Sequence, residues 1–272
     1  MMLDMLQYGF MQRAFIAGVL IAIVCSVIGV FLVLRRMSLM GDGLAHIAFA
    51  GIAGGMFFNV YPLVSALVFT VLSSLGIQRL KNMKVHGDAA IAIFFSFGLA
   101  VGITLISMSN GFGMDLFSYL FGSILAVSET DLAFIGALCA ATIALVWLFY
   151  KELFYITFDE ESARAGGLPV EGLNTMLMVL TAVAVVVSMR VVGILLVSSY
   201  IVLPASAALL VARGFRDTIV LASALALFST VAGLTAAFYL DAAAGGAIVL
   251  VLVGTFVSAL AYHMWGGKVR GN

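Results

Sequence analysis

Apolar stretches that approach the thickness of a bilayer recur along this 272-residue chain from one end to the other. They occupy 14–34, 43–58, 63–77, 89–107, 132–150, 173–189, 191–211, 218–239 and 246–265. The chain is 64% hydrophobic and only 10% charged, where a soluble domain carries about 25% charged residues. A single anchor would not shift the average so far, so the chain reads as polytopic. The expected fold is all-α, one transmembrane helical bundle over 1–272, because a helix satisfies its own backbone hydrogen bonds in lipid. The stretches 43–58 and 63–77 are short for a crossing, which needs about 17 residues at least. Joined by Asn59-Val60-Tyr61-Pro62, they read as a tight helical hairpin in which either member could stop below full depth, so eight to nine crossings are expected.

Lys and Arg are retained on the cytoplasmic side of a membrane, which gives the bundle a direction. With nine crossings and the N-terminus outside, the cytoplasmic segments hold Arg35, Arg36, Arg79, Lys81, Lys84, Lys151, Arg164, Arg213, Arg216, Lys268 and Arg270. That is eleven of the 13 basic residues, with only Arg13 and Arg190 outside and the C-terminus cytoplasmic. The outer connection 109–131 carries Asp115, Glu129 and Asp131 and no basic residue, which fits. No small-residue cleavage pattern precedes Arg35-Arg36, so no cleaved signal peptide is expected. A formal net charge of zero offers no field to recruit nucleic acid. Cys25 and Cys139 lie in separate apolar runs without a Cys-x-x-Cys pattern, which speaks against a disulfide framework or a structural zinc site. No Gly-x-x-x-x-Gly-Lys-Ser/Thr pattern occurs, so the chain has no ATP-phosphate cradle of its own. Gly51, Gly54 and Gly55 mark the second stretch as closely packed.

Ionisable groups inside membrane stretches are costly, about 2.5 to 3.5 kcal/mol for a mid-helix Asp, and so they are informative. Asp42 and His46 stand four apart and share one helical face. A carboxylate and an imidazole so placed make half of a four-ligand zinc site or part of a manganese site. Equally, Asp42 is placed to be an N-cap, and His46 could simply hydrogen-bond a carbonyl. Between the fifth and sixth stretches, Thr157 and Glu160 have capping-box spacing. Asp159, Glu160 and Glu161 load a first turn, Arg164 a last turn, and Gly166 is placed as C′. A short cytoplasmic helix over about 158–165 follows, either merely solvated or shaped to dock into a cytosolic motor. Pro204, beside Ser198, Ser199 and Ser206, predicts a break or kink in the seventh stretch, for packing or for a gate. Leu116, Phe117, Leu120 and Phe121 predict a short interfacial helix whose Asp115 is a cap or a cation-gathering charge.

The run Arg35-Arg36-Met37-Ser38-Leu39-Met40-Gly41-Asp42-Gly43-Leu44-Ala45-His46 resembles the membrane permease of ATP-binding-cassette importers for zinc and manganese. The stretches 115–127 (DLFSYLFGSILAV), 192–208 (VGILLVSSYIVLPASAA) and 239–250 (YLDAAAGGAIVL) agree in order and spacing, and 192–208 looks most like the zinc-uptake members. The resemblance implies a homodimer in a bacterial plasma membrane, bound by a cytosolic ATPase subunit and fed by an extracytoplasmic metal-binding protein. It implies no resident cofactor, and Zn²⁺ as cargo, with Mn²⁺ or Fe²⁺ as the alternative. It makes Asp42 and His46 the translocation ligands. The segment Phe158, Asp159, Glu160, Glu161, Ser162, Ala163, Arg164 and Gly166 becomes the coupling helix to the ATPase. A permease for iron chelates or cobalamin is disfavoured, since a bare carboxylate and imidazole suit a naked ion. An intramembrane hydrolase lacks its His-Glu-x-x-His helix. A secondary cation antiporter, which would need no ATPase, is the rival of a different class.

Overall fold

The computed structural model describes residues 7–109, 113–123 and 125–269, the side chains of 113–115 and 266–269 excepted. Among them the elements are helices: α1 (Gly9–Leu34), α2 (Leu39–Phe57), α3 (Pro62–Asn82), α4 (Gly87–Met108), α5 (Gly113–Phe121), α6 (Glu129–Leu148), α7 (Tyr150–Phe158), α8 (Glu160–Ala165), α9 (Val170–Ser188), α10 (Val197–Val211), α11 (Phe215–Leu240) and α12 (Ala244–Val269). Eight of these, and α10 together with the turn before it (Ile194–Val211), are long and apolar enough to cross a membrane, nine candidate spans where eight to nine were expected. The two stretches that looked short belong to full-length helices of 19 and 21 residues, α2 and α3. At about 1.5 Å per residue each reaches the thickness of the hydrocarbon layer. The helix outlasts its apolar run: α3 continues past Ile77 through Arg79 and Lys81, whose charges sit in its last turn near the negative end of the helix dipole.

Helix α2 sits at the centre. It packs against α3, α4, α9 and α10, and 78% of its most apolar stretch is buried, against 22% for α4 and 28% for α6 and α12. The outer helices therefore present large apolar side chains such as Phe97, Trp147, Val220 and Leu250 to the surroundings, as a bilayer requires. Small residues let backbones close on α2. A Cβ at Gly51 would lie 2.5 Å from the Ala66 Cα of α3, and one at Gly98 of α4 would lie 2.8 Å from the Ile47 Cα. The connections gather at two ends. One end holds Arg35, the α3–α4 turn, α7 and α8, and the α10–α11 turn; the other holds Tyr61, α5, Arg190 and Asp241.

Of the break or kink expected at Pro204, the break lies elsewhere. Helix α10 runs through Pro204 without interruption, and the chain leaves helical geometry upstream, where Gly193 has φ 86° and a 3-10 turn spans Ile194–Leu196. Gly193 is required there, because its Cα faces the Phe121–Gly122 backbone so closely that a Cβ would lie 2.4 Å from the Phe121 carbonyl carbon. The short helix expected near Leu116–Phe121 is α5. The Asp115 side chain lies outside the described residues.

Candidate functional site

The α1–α2 corner fixes the start of the site. Arg35 caps α1, Arg36 takes the left-handed conformation at φ 55°, and the amides of Arg36 and Met37 bond the Val33 and Leu32 carbonyls at 3.1 and 2.8 Å. This pair of bonds closes the helix as a Schellman motif. Helix α2 then begins with Ser38 as N-cap, and Asp42 falls within its first turn. Asp42 is thus not the cap, and its carboxylate is free for other work while the helix dipole still favours its charge.

Between Leu39 and Gly55 only Leu39, Asp42 and His46 escape burial, a single line along α2. Their neighbours define where that line opens. Gly41 abuts α10, where a Cβ would lie 3.5 Å from the Ser198 Cα, and Gly43 abuts α4, where a Cβ would lie 2.6 Å from the Ile91 side chain. Successive residues turn by about 100° on a helix, so Asp42 points into the slot between α4 and α10. The His46 ring lies 4.2 Å from the Phe95 ring of α4 at 56°. Within the described residues neither the Asp42 carboxylate nor the His46 ring has a hydrogen-bond partner, so His46 is not the carbonyl-bonded core histidine that the sequence also allowed. No group of three or more His, Cys, Asp or Glu side chains converges among the described residues. One chain thus offers one oxygen and one nitrogen donor, and a bound ion would draw further ligands from water, carbonyls or a second copy. Cys25 and Cys139 are buried and unpaired, with Cys25 Sγ directed at the Ala184 carbonyl. His86 lies exposed before α4, and His263 Nδ1 lies 2.9 Å from the Leu210 carbonyl oxygen, tying α12 to the end of α10.

The short helix expected over 158–165 divides differently. Phe158 is the last residue of α7, and its ring packs tilted against Phe154 and edge-on to Phe215, at 4.9 and 5.8 Å. The Thr157 hydroxyl donates to the Leu153 carbonyl at 2.6 Å instead of capping anything. Asp159 is the cap, its carboxylate accepting from the Ser162 amide at 2.9 Å. The hydrogen bonds of Ser162, hydroxyl first and amide second, hold the Asp159 carboxyl below its usual range. Glu160 and Glu161 fill the first turn, Ala163 is wholly buried, and Arg164 lies in the last turn. Gly166 is the C-cap rather than C′, and the left-handed position falls one residue later at Gly167, φ 82°. The expected Thr157 cap is thus replaced by Asp159, two residues later, directly before the helix it caps.

Sequence reasoning missed what Arg35 does. Its Nη2 donates to Glu160 Oε2 at 2.8 Å and its Nη1 to Asn174 Oδ1 at 2.5 Å, joining the α1–α2 corner to α8 and α9 on one guanidinium. Burial lowers the Arg35 pKa from its ordinary value, and the Glu160 charge works against that. The doublet Arg35-Arg36 was visible, but no local pattern says which distant acid an arginine will meet.

At the opposite end, Asp131 closes a capping box with Ser128, pairs with Arg190 at 3.2 Å and accepts from the Tyr61 hydroxyl. Arg190 also lies over the Tyr119 ring at 4.3 Å. Burial, then the Asp131 contact, raises the Tyr61 pKa, so its phenol stays a donor.

The ABC 3 transport family matches residues 7–263. A "Probable metal transport system membrane protein" of Treponema pallidum is 39% identical over 94% of this chain and 97% of its own length. "Manganese transport system membrane protein MntC" of Halalkalibacterium halodurans is 34% identical over 97% of this chain and 94% of its own. Among solved structures, "PsaBC from Streptococcus pneumoniae in complex with Fab" superposes with a TM-score of 0.85 at 35% identity, covering 95% of each chain.

Proposed function

The chain belongs to the ABC 3 transport family and is a metal-importer permease, and from that premise we propose that Mn²⁺ is its cargo and that Asp42 and His46 are the ligands the ion meets in transit. The observation that carries the reading is the one line of exposure along an otherwise buried α2, which consists of Leu39 and these two unpartnered donors. A carboxylate and an imidazole without thiolate suit manganese, which prefers oxygen and nitrogen ligands. The expectation of zinc is replaced here by its alternative, because a relative alignable over nearly its whole length is named for manganese. A site of two donors per chain holds an ion loosely, as transit demands, and a second copy of the chain across a two-fold axis would complete it as Asp₂His₂. The partners that go with this reading are that second copy, a cytosolic ATPase subunit docked on α8 and an extracytoplasmic metal-binding protein. The chain itself contributes no ATPase chemistry.

In this reading the Arg35 end faces the cytoplasm of a bacterial plasma membrane and the Arg190 end faces outward, with the N-terminus outside. Reporter fusions after Gly267 and at Asn59 should report opposite compartments; the same compartment for both would sink the orientation.

Uptake of labelled manganese into vesicles holding the permease and its ATPase partner tests the cargo and the ligands together. Asp42→Asn and His46→Ala should each abolish uptake while the complex still assembles and keeps basal ATPase activity. Uptake at the wild-type level in either variant would send the search for the metal path elsewhere. Transport of zinc, and not manganese, by the wild type would restore zinc as cargo.

A further inference from the structure

The α1–α2 corner, the candidate ATPase-docking helix α8 and the spanning helix α9 converge on one buried guanidinium, and from this juxtaposition we propose that Arg35 is the positioning residue through which movement of α8 reaches the metal ligands on α2. The proposal rests on the reading of Asp42 and His46 as the transit site and of α8 as the docking helix. Three observations carry it.

The first is connectivity. Arg35 donates one arm to Glu160 on α8 at 2.8 Å and another to Asn174 on α9 at 2.5 Å, and its side chain is only 9% exposed. A planar fork with donors in fixed directions transmits orientation as well as position, which an ammonium cannot do. The second is stiffness between Arg35 and the ligands. The corner is closed by the paired bonds of Arg36 and Met37 to Val33 and Leu32, and Asp42 follows within the first turn of α2. Because Gly41 and Gly43 pin that turn against α10 and α4, a displacement of the corner must shift Asp42 and His46 relative to those walls.

The third is that the contact can be exchanged. Glu160 is 42% exposed and also faces Arg164 on its own helix, with Oε1 at 3.6 Å from Nη2. When α8 moves, Glu160 can release Arg35 and keep a cation beside it, so neither state leaves the carboxylate bare. Asn174 would then hold the guanidinium alone. Arg35 thus sits at a contact whose acid has a second cation within reach, so the contact can be broken and remade as a coupling element requires.

The test uses the assembled transporter in vesicles, with ions moved per ATP hydrolysed as the readout. Arg35→Lys keeps the charge and loses the fork; Glu160→Gln keeps the shape and loses the charge. Arg35→Lys, which lies outside the docking helix, should co-purify with the ATPase and keep basal hydrolysis. Both variants should lower ions moved per ATP by about tenfold, and the double variant should be no worse than the poorer single, because the two act on one contact. An unchanged ratio in both single variants overturns the proposal. So does loss of the ATPase from both, or a fall of uptake and hydrolysis in proportion, since Arg35 would then only hold the fold. The ratio is read with whichever ion the wild type carries, so a mistaken cargo appears as wild-type failure with manganese and leaves the Arg35 comparison intact.

Discussion

The two ends of the bundle each carry a buried arginine paired with an acid, yet they are built to different purposes. At the Arg190 end, the Asp131 side chain is fully buried and accepts from Arg190, the Tyr61 hydroxyl and the Ser128 amide, while the Asp131 amide donates to the Ser128 hydroxyl. That carboxylate has three partners, and among the described residues Arg190 is its ion-pair partner with no second cation paired to it. At the Arg35 end, the arginine is as deeply buried but the acid is half exposed and has a second cation within reach. The difference teaches that burial of the base alone says little about rigidity; what decides is whether the acid has somewhere else to go.

The Arg190 end also explains the two exceptions to the charge rule. Arg13 lies 3.7 Å from Glu129, and Arg190 pairs with Asp131, so the two basic residues that the expected orientation leaves outside are both matched to acids of the base-free connection. Arg13 further donates its Nε to the Val127 carbonyl at 3.0 Å. The backbone meets there as closely as the charges do: Ser123 donates to the Arg190 carbonyl at 3.2 Å, and Gly193 lies against Phe121 and Gly122. The locked pair therefore holds α3, α5, α6 and the broken start of α10 in one register.

The largest effect should come from removing the locked acid. Asp131→Ala leaves Arg190 buried without its anion and Tyr61 without its acceptor, and loss of one partner of a buried pair costs about 3 to 5 kcal/mol. Unfolding of the detergent-solubilised protein should show that loss. Ions moved per ATP, measured on whatever fraction folds, should stay at the wild-type ratio. A stable variant with a collapsed ratio would break the comparison, because the Arg190 end would then be the moving one.

Much of this was legible in the sequence. The nine candidate spans among the described residues followed from apolar runs, and the proposal of Asp42 with His46 drew on the cost of ionisable groups in lipid. The errors fell at helix ends. Hydropathy measures where a side chain is apolar, so it stopped α3 at Ile77 while the backbone ran on to Asn82 with Arg79 and Lys81 in its last turn. Pro204 drew attention as a breaker, but a membrane helix tolerates proline, and the real break needed the left-handed Gly193, whose role depends on Phe121 lying across from it. The partners of Arg35 and Arg190 were invisible for the same reason: Glu160 and Asp131 are brought to them only by the packing of distant helices.

The smallest effect on stability, and the sharpest form of the comparison, should come from Glu160→Gln. The amide oxygen of Gln can still accept from Arg35, and Asn174 continues to hold the other arm, so the guanidinium keeps hydrogen-bond partners and loses only a charge. The half-exposed carboxylate gains little from its second neighbour Arg164, since exposed pairs contribute about 0.2 to 1 kcal/mol. The expected loss in the same unfolding measurement is about 1 kcal/mol, well below that of Asp131→Ala. If Glu160→Gln destabilises as much as Asp131→Ala, the Arg35 end is a lock like the other, and coupling must run through a different contact of α8. If it leaves the fold nearly intact while lowering ions moved per ATP, one end of the bundle holds the structure and the other moves it.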